Sequence, residues 1–307
     1  IDTLNNYASS VDDILNVDRT LWMHAFNYAL INFDSYVGYA QNYYLYKGLS
    51  GQFHPIIWDL NMSFGGFRLT DATQSYFNGF DIPQAQNMDP LNFINNSFLS
   101  PRPLITKLLS DPRYQKMYLA HMRTIIEEHF SNQNYATRAQ DLQNLISSDV
   151  QNDVNKFYSY NDFLDNINNQ VTIPSSICPG ITQLMNAREI YLSNYWSNFT
   201  QPNISNIQTQ PNSNQFFGDD LTITAQIQDA NYAMLAYRYG ENMPFIKIQM
   251  YDDGNHNDGM ANDGIYGTVI NNCSNSIDYY LYAESNNEGV FSPNRAAYEF
   301  YNIKTTV

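Results

Sequence analysis

Two blocks of different periodicity predict an α+β chain. Across residues 1–199 apolar side chains recur at helical spacing, interrupted by one hairpin-like stretch. From residue 202 to 307 short runs alternate apolar and polar residues between turn residues. The shift at Pro202 divides a mainly helical domain with a β-hairpin (1–199) from an all-β sandwich of immunoglobulin or fibronectin type (202–307). A chain of 307 residues is long enough for both.

At the N-terminus, Ser10-Val11-Asp12-Asp13 reads as a capping box opening a short helix, and Asp18 as the cap of the next. Trp22, Ala25, Phe26, Ala29, Leu30 and Phe33 form one buried stripe, and this helix is expected to deliver Asp34 at its end. A carboxylate there meets the negative end of the helix dipole, a mild penalty that suits a functional residue.

Two aromatic-rich runs, 42–47 and 52–58, flank Gly48-Leu49-Ser50-Gly51 and read as a hairpin. Simple closure sets Lys47 opposite Gln52 and Asn42 opposite Ile57. Asn42, Ile57 and Asp59 then share a face, with Asn42 and Asp59 diagonal at roughly 7–8 Å. Asp34 lies at the same open end, so Asp34, Asn42, Asp59 and Asn61 are predicted to converge. Grouped carboxylate and amide oxygens suit Mg²⁺ with phosphate. Taken singly, each of the four reads more readily as a cap or turn residue. Their grouping at one hairpin end carries the functional reading.

Residues 67–100 show little periodicity and are expected to form a long loop facing the substrate. Asp111-Pro112 caps a helix whose core stripe includes Tyr114, Met117, Tyr118, Met122, Ile125, Ile126 and Phe130. A second core stripe is expected from Leu142, Leu145, Ile146, Val150, Val154 and Phe157. Asn161-Asp162 starts a third helix, and Pro179-Gly180 precedes a last one bearing Leu184, Met185 and Leu192. These stripes read as core rather than a cofactor box. His121 and His129 are eight apart on one helix and are assigned to no zinc site. In the second domain, strands are expected at 221–227, 233–239, 245–251, 277–283 and 297–303.

Between them, residues 252–267 hold three Asp-Gly pairs. The EF-hand template fails there: counting from Asp253, position six is Asp258 and position twelve Gly264. A calcium loop of another kind would use Asp252, Asp253, Asp258 and Asp263. The alternative is a turn-rich loop whose Asp and Gly serve backbone geometry.

Acidic residues outnumber basic ones 30 to 15, and a net charge of −15 argues against nucleic acid as partner. No apolar run approaches a membrane span. Abundant Tyr and Asn with sparse Lys fit a secreted or cell-surface protein. The chain opens at Ile1 without an initiator Met, which reads as a processed start or an artificial boundary rather than a natural beginning. Cys178 and Cys273 read as unpaired thiols slightly more readily than as an interdomain bridge.

The ordered blocks Asn32-Phe33-Asp34-Ser35-Tyr36, Asn42-Tyr43-Tyr44-Leu45-Tyr46, Ile57-Trp58-Asp59-Leu60 and Phe64-Gly65 resemble the spore coat protein H (CotH) family of atypical, secreted or surface-exposed protein kinases. The resemblance implies a kinase-like C-terminal lobe, ATP and Mg²⁺ as cofactors, and a secreted or surface protein as substrate. Asp34 matches the catalytic-loop Asp, Asn42 the metal-binding Asn, and Asp59 the Mg²⁺-holding Asp of a W-D-x-D block. Asn61 stands where the family often has a second Asp, which lowers the expected metal affinity. Lys47, Arg68, Arg102 and Lys107 are the local cations available to phosphates.

The stretch before Asp34 reads as helix, with no Gly-rich loop and no V-A-I-K-like strand. A nucleotide-covering N-terminal lobe is therefore expected outside this chain, cut away or on a separate polypeptide, with weak ATP binding by this chain alone. The sandwich is similar to modules that follow enzyme domains in bacterial surface proteins. A second reading is a non-catalytic adhesion or scaffold protein with a degenerate kinase fold and a binding sandwich. A third is a glycosidase pairing Asp59 with Asp71 or Asp81, which no spacing selects.

Overall fold

The structure, a computed structural model, describes residues 2–6, 10–69, 79–92, 102–173, 176–211, 218–273 and 275–304. Asp71 and much of the predicted 67–100 loop lie outside these residues. Helices and antiparallel sheets together make the chain α+β.

Helices α1 (Asp2–Asn6) and α2 (Val11–Ile14) lead into α3 (Val17–Ala29). Asn16, not Asp18, caps α3, its side chain accepting from the Arg19 amide at 3.0 Å. Asp18 is buried instead, and Ser10 makes no side-chain cap bond. The predicted stripe is present, with Trp22, Ala25 and Ala29 buried. The helix nevertheless stops at Ala29, because Ile31 turns left-handed at φ 49°. Asp34 therefore sits beyond the reach of the α3 dipole, and the expected penalty does not apply.

After α4 (Tyr36–Tyr39) comes the predicted hairpin, β1 (Tyr43–Lys47) and β2 (Phe53–Ile57). Its register is one residue from the expected one: Lys47 pairs with Phe53 and Tyr43 with Ile57. Gln52 is drawn into the turn, where it is buried and its Nε2 donates to the Asp12 carbonyl at 2.5 Å. A shift of one residue moves Asn42 off the pleat face of Ile57.

Helix α5 (Ile82–Gln86), missed in the expected loop, opens with a capping box between Asp81 and Gln84. Then follow α6 (Pro103–Thr106) and α7 (Pro112–Ile125), the latter capped by Asp111 as predicted and extended by a π-helical turn, Ile126–Phe130. Its stripe is core: Met117, Tyr118, Met122, Ile125, Ile126 and Phe130 are all buried.

The next helix corrects the sequence reading. In α8 (Asn134–Asn152) Gln143 is the buried residue, while Leu142, Leu145 and Ile146 are exposed. Val154 and Phe157, beyond its end, are 92% and 88% exposed. Periodicity showed an apolar face here, but not whether anything covers it. Helix α9 (Tyr160–Asp165) is capped by Ser159. A short unpredicted pair, β3 (Val171–Ile173) and β4 (Ser176–Cys178), precedes α10 (Ile181–Trp196). Cys178 and Cys273 are both free thiols.

The remaining strands are β5 (Asn203–Gln210), β6 (Asp219–Gln228), β7 (Tyr232–Arg238), β8 (Ile246–Met250), β9 (Ile265–Cys273), β10 (Ile277–Glu284), β11 (Gly289–Ser292) and β12 (Tyr301–Ile303). Of these β5, β9 and β11 were not anticipated. One antiparallel sheet runs β11-β10-β7-β8 with β12 also on β10; the other runs β5-β6-β9.

Strand β10 is buried along its whole length, on both faces. Tyr279, Leu281 and Ala283 face the three-stranded sheet, sharing a core with Leu221, Ile223 and Ile270. Tyr280 and Tyr282, alternating with them, join the core of the helices with Tyr118 and Trp22. The larger sheet thus lies between the helices and the smaller sheet.

Charged groups cross the helix–sheet junction. Lys247 reaches Asp12 at 3.2 Å and Asp18 at 3.6 Å, and the Tyr280 hydroxyl donates to Asp18 at 2.8 Å. Burial pushes the Lys247 ammonium down, but Asp18 and Asp12 outweigh it and hold its pKa above the usual lysine value. Lys116 meets Glu284 at 2.9 Å and Arg123 meets Glu288 at 2.5 Å.

Candidate functional site

The backbone of residues 31–64 is unusually bent. Five of the eleven non-glycine residues at positive φ among the described residues lie here: Ile31, Ala40, Asn42, Asp59 and Phe64. A β-branched or bulky residue in this region is an outlier, and such strain gathers at functional sites. Ile31 and Phe64 meet that description, Asn42 and Asp59 are types that adopt the left-handed region more readily, and together they bracket the open end of the hairpin.

Asn42 sits at φ 53° and its Nδ2 donates to the Asp34 carbonyl at 3.0 Å. The Gln41 side chain donates to Asp34 Oδ1. Asp34 and Asn42 are thus brought together as the sequence predicted, through backbone rather than a shared pleat face. Asp59, at φ 55°, caps the 3₁₀ turn Leu60–Met62 without a side-chain bond. The amides of Phe64 and Gly65 then donate to the carbonyls of Leu30 and Ile31 at 2.9 and 3.2 Å. The segment after Asp59 is therefore tied to the bend before Asp34. Asp59 and Asn61 are exposed, and among the described residues neither side chain has a hydrogen-bond or ion-pair partner.

Three buried arginines hold these bends. Arg188 donates to the carbonyls of Tyr28, Ala29, Met88 and Ala85 at 2.8–3.2 Å, where α3 ends. Burial lowers its pKa to about 10, against the nearby Tyr118 and other groups that raise it. Arg102 donates to Gly38 O at 2.6 Å. Gly38 admits no side chain, since a Cβ would lie 2.0 Å from Phe33 O. Arg68 donates to the carbonyls of Gly65, Phe80 and Ile177.

Arg68 and Arg102 were expected to serve phosphates. They are buried and directed at backbone carbonyls, which corrects that assignment. Lys47 and Lys107 remain exposed. Sequence reasoning missed Arg188, although a signal existed: it lies four residues from both Leu184 and Leu192, on an apolar face where a charge is out of place.

The acidic loop of the sheet region is built differently. Asp258 is fully buried, accepting from the amides of Asp253 (2.6 Å), Gly254 (2.8 Å) and His256 (2.8 Å). Burial pushes this carboxyl up, but the amide donors outweigh it and hold its pKa below the usual range. Asp252 accepts from the amides of Asp263 and Gly264, and Asp263 from those of Met260 and Ile265. Asp253 accepts from the Asn255 amide and lies 2.9 Å from His256 Nδ1. Asp253, His256 and Asp258 form the metal-compatible group found among the described residues, with ligand atoms within 4.8 Å of one another.

The family model for CotH kinase protein matches residues 1–189. The chain belongs to this family. No curated protein matches it. Among solved structures, a Br derivative of BhCBM56 is similar at 15% identity over 34% of this chain and 96% of that one, with TM-score 0.23. An endo-beta-1,4-mannanase from Thermotoga petrophila is similar at 7% identity over 40% of this chain and 24% of that one, with TM-score 0.22. An engineered protein is similar at 10% identity over 45% of this chain and 31% of that one, with TM-score 0.24. Likenesses this slight carry no inference.

Proposed function

We propose that this chain is part of a secreted or surface CotH-like kinase that transfers the γ-phosphoryl group of ATP to a hydroxyl on a protein. In this reading residues 1–199 form the kinase-like lobe and residues 202–307 an accessory immunoglobulin- or fibronectin-like sandwich. The observation that carries it is the tie between the two bends: Asn42 on the Asp34 backbone, and the Phe64–Gly65 amides on Leu30 and Ile31.

Asp34, steadied by Gln41, orients the acceptor hydroxyl and takes its proton. Asp59 presents a carboxylate with no other partner among the described residues. Asn42 donates through nitrogen, which leaves its amide oxygen without a partner among the described residues, and Asn61 offers another oxygen. This all-oxygen donor set fits Mg²⁺, a hard cation. When bound, the ion would neutralise phosphate charge and align the phosphoryl group.

ATP fits this chain less well. With Arg68 and Arg102 committed to carbonyls, weak binding by the chain alone is the expectation, and a covering lobe elsewhere would complete the site. Tyr44, Tyr46 and Trp58, 56–60% exposed on the hairpin, are the surface such a lobe would cover. The same commitment of cations, with Asn61, supports the second reading, a scaffold without catalysis.

The deciding experiment is transfer of labelled phosphate by the full-length protein with Mg²⁺ and ATP. Asp59→Ala is expected to lose at least about 100-fold in rate with its fold intact, as for loss of a group essential to phosphoryl transfer. Equal phosphorylation by the variant would overturn the assignment.

A further inference from the structure

A cavity of about 540 Å³ lies under α8 and is separate from the Asp34 site. Its walls are mostly apolar, from Leu142 and Ile146 on α8 to Phe163, Ile167 and Ile173 opposite. Both volume and lining fall within the range of small-molecule sites. Four lining side chains bear charge or an amide. Gln143 donates to the carbonyls of Phe163 and Leu164, and Asn166 to those of Asn169, Cys178 and Pro179. Asp162 accepts from Ser159 as the cap of α9.

Arg138 is the exception. Its side chain is exposed and has no hydrogen-bond or ion-pair partner among the described residues. Ten of the other arginines and lysines are engaged with carboxylates or carbonyls, so an idle guanidinium at an apolar cavity is unusual in this chain. Two charges thus line the chamber, Asp162 held as the α9 cap and Arg138 held by nothing among the described residues, and the idle guanidinium suits an apolar tail carrying one negative head.

We propose that this cavity binds a free, single-chain anionic amphiphile of the long-chain carboxylate class, its tail between α8 and α9 and its head on Arg138. Phe64 lines the same cavity and belongs to the segment that follows Asp59, so an occupant would touch that segment. The proposal does not depend on phosphotransfer.

Calorimetric titration of the chain below the micelle concentration tests it, with tetradecanoate, tetradecanol and tetradecyltrimethylammonium as probes. Tetradecanoate is expected to bind about tenfold tighter than the alcohol, the increment of one charge-assisted hydrogen bond. The ammonium compound should bind more weakly than either. Arg138→Gln should bring the carboxylate down to the alcohol and leave the alcohol unchanged. Ile146→Asp, at a position already exposed, should abolish all binding without unfolding the chain. Head-group indifference, or tetradecanoate affinity unchanged in Arg138→Gln, overturns the proposal. So does sedimentation with phosphatidylglycerol vesicles without a response to monomeric tetradecanoate, which would assign the surface to an anionic bilayer instead.

Discussion

Two groups of aspartates separate this molecule's regions. Asp252, Asp253, Asp258 and Asp263 turn their oxygens onto amides of their own loop. Asp59 is exposed on a left-handed backbone, its carboxylate with no partner among the described residues. In the first group the residue type builds the loop. In the second, its oxygens stay available to something from outside. Acidic density alone does not distinguish them; the donors facing each carboxylate do.

The largest stability effect follows from that contrast. Asp258→Ala removes the acceptor for three amides at a fully buried position. Leaving buried donors unmatched costs about 1–3 kcal/mol each, less where water enters, so a loss of about 3 kcal/mol is expected in urea unfolding. Asp59→Ala should stay within about 0.5 kcal/mol of the parent, as exposed substitutions do. Similar losses in both would erase the distinction.

His121 sharpens the comparison from the other side, being polar, fully buried and unengaged. Its ring stacks between Trp22 at 4.2 Å and Phe291 at 4.6 Å, and neither nitrogen has a hydrogen-bond partner among the described residues. Burial lowers its pKa from 6.5 to about 3, with Lys247 adding to the effect. The folded state therefore takes up the proton later than the unfolded state. The neutral ring's contribution is whole above pH 6.5 and falls away as pH drops toward 3. Between pH 7 and 4.5 this amounts to about 2–3 kcal/mol. His121→Leu should lose that much less stability over the same interval than the parent, measured by urea unfolding at both pH values. Parallel pH profiles would show that the ring does not set the dependence.

What the sequence revealed follows the range of the forces involved. The Asp111 cap, the α7 stripe and the existence of the hairpin rest on neighbours in sequence, and all are present. The register failed by one residue because Gln52 answers to Asp12, forty positions away. The α8 stripe looked like core because periodicity reports an apolar face but not its cover. The pairing of Asp34 with Asn42 was legible from spacing and family resemblance, whereas no hydrogen bond among the described residues joins Asp59 to either. The arginines that hold these bends were not legible, since a guanidinium directed at carbonyls of remote segments leaves little trace in composition. Nor did any pattern in 277–284 announce that both faces of β10 would be buried, although its aromatic alternation permits it.

Calcium offers the smallest expected effect and the finest test of the contrast. To hold Ca²⁺, a loop must supply six to eight oxygens. Both oxygens of Asp258, Asp252 and Asp263 already accept from amides in this structure. An ion would have to share those oxygens or displace their donors, and the gain would be offset by the bonds lost. Adding about 1 mM Ca²⁺, the affinity range of weak extracellular modules, should thus move the melting temperature by no more than about 2 °C. At a concentration near Kd the linkage gain is only about 0.4 kcal/mol. A shift of about 8 °C or more, lost in Asp252→Asn, would mean that the loop rearranges around an ion. The two aspartate groups would then differ in which ligand they await, rather than in whether they await one.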